Sequence, residues 1–136
     1  MWTQRIHYAF RTLIVLGASQ DTHIPAREIA ERYQVPRKYL ESVLAELRQA
    51  GLVESTKGKA GGYRLCQDPS RIRLSDVVAK LDPSVFATPS SGEQQLPEDA
   101  IIGIVQGQLE EYLAGKTIAD AIMHWQKQRH AMTYSI

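Results

Sequence analysis

Disulfide bonds and long apolar segments are both missing from this chain of 136 residues. It contains one cysteine, Cys66, so no disulfide framework can form, and a lone thiol is ordinary in a reducing compartment. No apolar run approaches the roughly 20 residues that a membrane-spanning helix needs. Residues 1–5 show no charged-then-apolar leader. We therefore expect a cytoplasmic protein without a membrane partner.

Residue patterns for catalysis and metal binding are missing too. The sequence shows no paired carboxylates, no phosphate-binding loop and no nucleophile beside an evident base at recognisable spacing. A multidomain enzyme does not fit this length. We therefore expect neither an enzyme nor a metal site. The four histidines, which have no ligand spacing with Cys66 or with one another, are His7, His23, His124 and His130.

Charge is distributed unevenly along the chain. Residues 1–80 contain 13 Lys and Arg against 8 Asp and Glu, a net charge of +5. Residues 81–136 contain 3 against 7, a net charge of −4. The basic front half suggests a module that binds a polyanion, and the acidic remainder suggests an element with another task. A scatter of charge without functional meaning is the alternative.

Apolar residues recur at helical spacing through the first half of the chain. The spacing predicts helices over about 3–18, 25–33, 36–50 and 74–81. Pro36 pushes Val35 out of the helical region, so the chain turns between the second and third helices. The third helix has an apolar face and a polar face. The apolar face contains Leu40, Val43, Leu44 and Leu47, and the polar face contains Lys38, Glu41, Ser42, Ala45 and Arg48.

A β-hairpin is predicted directly after the third helix. Two β-prone runs, 52–56 and 63–66, flank the segment KGKAGG at 57–62. Three glycines in six residues indicate a tip that needs positive φ angles or close backbone approach. The predicted fold is therefore mainly α with a small β-hairpin, in the order of a winged helix-turn-helix domain over residues 1–81.

The remainder of the chain is predicted to contain a linker and two helices. Residues 82–97 are rich in proline and serine and are expected to be a mobile linker. Residues 98–136 contain a long helix that ends near Gly115 and a last helix that starts with a capping box at Thr117 and Asp120. Two helices cannot build a core alone, so they must pack on the front module or on another chain. We expect Trp125, in the last helix, to lie in a core.

A winged helix-turn-helix domain has the shape of a double-stranded DNA reader. One helix fits the major groove, where side chains can distinguish the base edges. Here Lys38, Glu41 and Ser42 would face the bases, with Arg37 and Tyr39 beside them near the helix start. Two lysines of the hairpin tip, Lys57 and Lys59, would enter the minor groove or neutralise phosphates.

The sequence resembles a family of bacterial winged-helix regulators that includes IscR, NsrR and CymR, the Rrf-two (Rrf2) family. The resemblance covers nearly the whole chain. The motifs that carry it are YA at 8–9, YLESVLAEL at 39–47 with GLV at 51–53, and KGKAGGYRL at 57–65, supported by LSDVV at 74–78 and KTIAD at 116–120.

The resemblance implies a homodimeric transcription factor, usually a repressor, that reads a pseudo-palindromic operator. In this family the third helix enters the major groove, the wing enters the minor groove and the long helix pairs with its twin. By position, Lys38, Tyr39, Glu41 and Ser42 match the base-reading segment and Lys57 matches a wing arginine, while Thr3 and Arg5 lie where the N-terminus approaches phosphates.

The predicted linker departs from the cluster-binding members of the family, which carry three cysteines there because thiolates ligate iron–sulfur clusters. Residues 82–97 contain no cysteine and no histidine. We therefore expect no cofactor, and the chain resembles the cluster-free branch of the family, which includes CymR. Its signal would be a regulatory protein, a small-molecule effector or thiol oxidation.

Two further features carry predictions. Cys66 is either a small buried side chain or an exposed thiol that serves as a redox sensor. Gly103 and Gly107 stand four apart in the long helix, where they either let a second backbone approach or loosen the helix start. The residues assigned to dimerisation are Ile102, Gly103, Val105, Gly107, Leu109 and Tyr112. The competing hypothesis for the whole chain is a winged-helix module that binds another protein without reading DNA sequence.

Overall fold

The fold contains six α-helices and one two-stranded antiparallel sheet, as the computed structural model shows for residues 2–59, 61–86 and 96–134. This confirms a mainly α fold with a small hairpin. No helix among these residues is both long and apolar enough to cross a bilayer. The elements are α1 (Gln4–Ala18), α2 (Ala26–Arg32), α3 (Arg37–Gln49), β1 (Val53–Thr56), β2 (Gly62–Leu65), α4 (Leu74–Leu81), α5 (Pro97–Ala114) and α6 (Ile118–Tyr134).

The main core lies between α1, α2, α3, the hairpin and α6. Leu13 on α1, Ile29 on α2 and Leu47 on α3 are fully buried in it, because each apolar stripe faces the same interior. All four apolar residues predicted for the inner face of α3 are buried. The helical periodicity therefore placed this helix correctly in both position and orientation.

The hairpin is held by more than its own two strands. Strand β1 pairs with β2 in the register Val53 to Leu65 and Thr56 to Gly62. The backbone of Ile24 forms a separate antiparallel bridge with Tyr63 of β2. Tyr63 N–H donates to Ile24 O at 2.8 Å, and Ile24 N–H donates to Tyr63 O at 2.9 Å. This bridge fixes the tip end of the hairpin against the loop before α2.

Glycine is required at Gly62 because of that bridge. Its φ is +156°, and a Cβ atom there would lie 2.6 Å from Ile24 O. At the tip, Gly58 has a φ of +108°. The prediction that the glycine-rich segment serves positive φ angles and close backbone approach is confirmed.

The last helix packs on the front module. Ile118 and Ile122 of α6 are buried in the main core, and Trp125 is half-buried against it. The predicted capping box is present, with Thr117 N–H donating to Asp120 Oδ2 at 2.9 Å and Asp120 N–H donating to Thr117 Oγ1 at 3.3 Å. Residues 118–125 therefore complete the core of the winged domain.

The segment predicted as a linker begins with ordered structure. Residues Pro83–Phe86 form a 3₁₀ turn, started by Asp82 Oδ1, which accepts from Ser84 N–H at 3.2 Å. Val85 is buried in a second cluster with Ile6, Val78 and Leu113. A mobile linker was expected here, but this part is ordered because the Val85 side chain packs between α1, α4 and α5. Residues 87–95 of the predicted linker lie outside the described residues.

Candidate nucleic-acid interface

The outer face of α3 is polar and exposed. Four of its side chains, Arg37, Lys38, Glu41 and Ser42, are all exposed at the N-terminal half of the helix. The inner face is buried, so the helix is held rigidly with its polar face outward. This arrangement offers cationic, anionic and hydroxyl groups together, the set that distinguishes base edges in a major groove.

Tyr39 differs from these four because its ring is half-buried. The Tyr39 ring lies 5.2 Å from the Tyr8 ring on α1, and Lys38 Nζ lies 5.7 Å from the Tyr39 ring centroid. Tyr39 therefore packs the start of α3 against α1. Only part of its surface remains for a ligand.

The turn between α2 and α3 is held by Arg11 of α1, a residue to which no role was assigned from the sequence. Arg11 Nη1 donates to the carbonyl oxygens of Tyr33 at 3.2 Å and Gln34 at 2.8 Å. Gln34 has a φ of +56°, which leaves the turn in a backbone conformation that non-glycine residues adopt rarely. No signal in the neighbouring residues indicates this contact, because Arg11 and Gln34 are 23 residues apart in the chain.

The hairpin tip presents two lysines. Lys57 and Lys59 are both exposed, whereas Arg64 pairs with Glu54 across the strands and is neutralised there. Arg48 Nη1 donates to Ser55 Oγ at 3.3 Å, which ties the end of α3 to β1. The unpaired positive charge of the hairpin is therefore concentrated at its tip, next to Ala60, which lies outside the described residues.

The two residues assigned to the N-terminal phosphate contact occupy different environments. Thr3 is exposed and caps α1, its Oγ1 accepting from Ile6 N–H at 3.3 Å. The Arg5 side chain is 41% exposed but is held by contacts within its own chain. Its Nη2 donates to Leu81 O at 2.6 Å and its Nη1 lies 3.3 Å from Glu46 Oε1. Arg5 thus braces α1 against α3 and α4.

Cys66 is exposed, so the alternative of a small buried side chain is wrong. Strand β2 ends at Leu65, and the Cys66 backbone N–H donates to Leu52 O at 3.0 Å while the side chain faces outward. Partial desolvation, together with the nearby Glu54 carboxylate, raises the pKa of the Cys66 thiol, and Arg64 opposes this more weakly. A raised pKa leaves less thiolate at neutral pH, which slows oxidation.

Metal ligands do not cluster in the described part of the chain. Among residues 2–59, 61–86 and 96–134, no group of three His, Cys, Asp or Glu side chains could hold an ion. The chain has a single cysteine, located at the base of the hairpin, and residues 82–97 contain none. These residues do not fit an iron–sulfur cluster held by cysteine thiolates.

Helix α5 exposes apolar residues on its N-terminal half and also exposes Tyr112 near its C-terminal end. Ile102, Val105 and Tyr112 are 41%, 48% and 61% exposed, and a Cβ added at Gly103 or Gly107 would meet open space. Leu109, the remaining residue assigned to dimerisation, packs partly against the second cluster of its own chain. The C-terminal half of α5 is therefore anchored to the winged domain, and the N-terminal half has an apolar surface without a partner in the described chain.

Comparison with known proteins gives a consistent result. The Rrf2 family profile, described as "Iron-dependent Transcriptional regulator", matches residues 2–124. The chain is 39% identical to slr0846 of Synechocystis sp. over 112 residues, 80% of this chain and 76% of that protein, whose provisional name is an HTH-type transcriptional regulator. It is also 39% identical to the HTH-type transcriptional regulator IscR of Photobacterium profundum over 67% of this chain and 54% of IscR. The match thus spans only about half the length of that IscR.

Two solved structures share the fold. The T. potens IscR structure superposes with a TM-score of 0.79 and 27% identity, covering 94% of this chain and 90% of that one. CymR, the global cysteine regulator of B. subtilis, superposes with a TM-score of 0.82 over 91% of this chain and 97% of that one, at 22% identity. The family and its relatives are transcriptional regulators and not enzymes. With the profile matching nearly the whole length and the winged helix-turn-helix geometry in place, this chain belongs to the Rrf2 family of transcriptional regulators.

Proposed function

We propose that this transcriptional regulator binds its operator as a homodimer, with α3 in the major groove and the hairpin tip in the adjacent minor groove. The observation that carries the proposal is the pairing of two surfaces. The exposed polar face of α3 and the lysine tip of the hairpin are joined through the hydrogen bond from Arg48 to Ser55. Direct base contacts would come from Lys38, Glu41 and Ser42, and phosphate contacts from Lys57 and Lys59.

The dimer is proposed from α5. Ile101, Ile104 and Val105 are each about half exposed or more, and exposed apolar residues on one helix favour association with a second apolar surface. Pairing of α5 with its twin would give a two-fold dimer. Such a dimer reads two half-sites about one turn of DNA apart, which is a pseudo-palindrome.

Regulation is proposed to proceed without an iron–sulfur cluster. Cysteine is absent from residues 82–97, and the one cysteine of the chain lies at the hairpin. Repression is the expected outcome wherever the operator overlaps a promoter. The signal is then an effector or partner that binds the protein itself.

The proposal is tested by capture of genomic fragments with the purified protein at salt from about 50 to 200 mM, a range in which phosphate-dominated binding weakens steeply. We expect a few fragments that share a two-fold motif. The double variant Lys57→Glu/Lys59→Glu should lose about 100-fold in affinity and reduce the slope of log affinity against log salt by about one unit per lysine that contacts a phosphate.

Lys127→Glu is the matched control because Lys127 is an exposed lysine on α6, away from the hairpin. Its operator affinity should stay within about twofold of the parent. The competing function, a winged module that binds a protein, predicts that no fragment is enriched and that the hairpin variant changes no DNA complex. That result would overturn the proposal.

A further inference from the structure

A groove of about 680 Å³ lies between α1, Tyr33 at the end of α2, and the two C-terminal helices. Its walls are mostly apolar, and both tryptophans of the chain, Trp2 and Trp125, line it. This volume falls in the range of about 300–1,000 Å³ that is usual for small-molecule sites. None of the residues assigned to DNA contact lines the groove.

Aromatic pairs mark two parts of the groove. Trp2 and Phe10 lie 5.9 Å apart with their rings tilted by 55°, and Tyr33 and Trp125 meet edge to face at 6.3 Å. All four rings are only partly buried, so their remaining surface is open to a ligand. Ring faces and edges of this kind favour a flat apolar body.

The charge of the groove favours an anion. Among the described residues that line it, the side chains that can be positively charged are His7 and Arg11, and no acidic side chain is present. His7 and Arg11 lie one turn apart on the same face of α1. Arg11 uses Nη1 for the carbonyls of the α2–α3 turn, and its Nη2 and Nε have no hydrogen-bond partner within the described chain. A guanidinium with open donors is suited to a carboxylate.

The exposed apolar surface of α5 does not account for this groove. The residue that α5 contributes to the lining is Leu113, which is 6% exposed, whereas Ile102, Val105 and Tyr112 lie outside it. The apolar surface proposed for dimerisation and the groove are therefore two separate surfaces of this chain. Tilted rings beside a guanidinium suit a small ligand with a flat apolar body and one anionic group.

We infer that this groove binds a small molecule with an apolar ring and a carboxylate, and that the ligand is an effector of DNA binding. The coupling runs through Arg11. A carboxylate that accepts from Nη2 and Nε draws the guanidinium toward the groove and away from the Tyr33 and Gln34 carbonyls, which loosens the turn before α3. Ligand binding then lowers operator affinity. The effect on DNA rests on the function proposed above, whereas the binding site itself does not.

Binding is measured first by tryptophan fluorescence, because both tryptophans face the groove. Phenylacetate and cyclohexylacetate are the probes, and phenylacetamide is the neutral counterpart of the first. We expect saturable quenching by the acids with a dissociation constant of about 1 mM or tighter. The amide should bind at least about tenfold more weakly, because it lacks the charge that Arg11 attracts. Equal binding of acid and amide, or no response to any probe, overturns the proposal.

Two variants of Ala121, a half-buried residue in the lining, locate the site. Ala121→Phe should fill the groove and abolish the quenching. If Ala121→Phe does not fold, the milder Ala121→Leu takes its place and should weaken the quenching. Met123→Phe is the control because Met123 is exposed on α6 and does not line this groove. Quenching that survives in both Ala121 variants places the acid elsewhere and overturns the proposal.

Operator affinity is then measured with and without saturating phenylacetate. We expect a reduction of at least about fivefold, within the usual range of allosteric coupling. The reduction should disappear in Ala121→Phe and persist in Met123→Phe. Quenching without any change in operator affinity overturns the effector role. If no operator binds even without ligand, the DNA-binding proposal has failed instead, and the fluorescence titration still decides whether the groove is a site.

Discussion

Helices α3 and α5 both expose a surface, and the two surfaces differ in chemistry. All four apolar residues of the α3 inner face are buried, and what remains outside is polar or charged. Helix α5 buries Leu113 and partly Leu109, yet leaves Ile101 and Ile104 each 58% exposed. A polar exposed face is stable in water without a partner, whereas a row of exposed apolar side chains is not.

The contrast separates two kinds of partner. The face of α3 suits a polyanion whose groove presents donors and acceptors, which is the operator DNA of the proposed function. The N-terminal half of α5 is completed by another apolar surface, for which a second α5 is the proposed match. Under the proposed function α3 recognises sequence and α5 associates, and the following changes test these roles.

The largest effect is expected from the buried face of α3. Leu44→Ala should lower the free energy of unfolding by about 2–5 kcal/mol, because Leu44 is 2% exposed and its truncation leaves a cavity. Ser42→Ala, on the outer face of the same helix, should change it by less than about 0.5 kcal/mol. Urea unfolding measures both. Similar losses for the two variants would mean that the outer face of α3 is also packed.

The next effect concerns association through α5. Val105→Glu should convert the dimer to a monomer in sedimentation and reduce operator affinity about 100-fold, since a charge on an apolar interface is poorly solvated. Circular dichroism should show the winged domain still folded, because Val105 is exposed in the chain. Glu110→Lys changes charge at an exposed polar position of α5 and should leave the dimer intact. A Val105→Glu protein that remains dimeric would remove α5 as the interface.

A smaller effect is expected on sequence preference. Glu41→Ala should relax discrimination at one base position of each half-site by about 1–3 kcal/mol, while affinity for other positions is kept. Selection from a randomised operator library measures this. Gln49→Ala, at the far end of α3, should leave the selected motif unchanged. An unchanged motif for Glu41→Ala would show that Glu41 does not read bases.

The smallest effect is a pH dependence away from both surfaces. Hydrogen bonds from the Thr117 backbone and hydroxyl lower the pKa of Asp120 below its usual value. The stabilisation is therefore present above the unfolded pKa of about 3.9 and is lost as the pH falls through the folded pKa. Asp120→Asn should lower the melting temperature by no more than about 2–3 °C at neutral pH.

That difference should vanish in strong acid, where the parent carboxyl is also protonated. Asp21→Asn, an exposed aspartate after α1, is the control and should not change the melting temperature at either pH. A difference for Asp120→Asn that persists unchanged in acid would show that the lost contact is steric and that the carboxylate charge is irrelevant.

Much of the fold followed from local patterns. Helix α4 begins and ends at Leu74 and Leu81, as its apolar spacing predicts, and the Thr117–Asp120 capping box formed as its spacing indicates. These features depend on residues within one or two turns of each other. The periodicity of α3 likewise predicted both its buried and its exposed face.

Long-range contacts were not predictable in the same way. The sequence shows neither the Arg11 contact with the α2–α3 turn nor the Arg5 pair with Glu46, because each joins residues far apart in the chain. The exposure of Cys66 depends on the residue at which β2 stops. The burial of Val85 depends on a gap between three helices. None of these has a signature in the neighbouring residues.

The sequence by itself determined which helices form and where the hairpin turns, since helical period and glycine positions are local properties. Only the tertiary structure decided which cations remain available. Arg5 is bound to Glu46 and Leu81, whereas Lys57 and Lys59 remain exposed at the hairpin tip. It also decided that α6 packs into the main core, whereas the N-terminal half of α5 keeps its apolar side chains exposed. An apolar face is buried only where the folded chain brings another surface next to it, and that depends on contacts between residues far apart in the sequence.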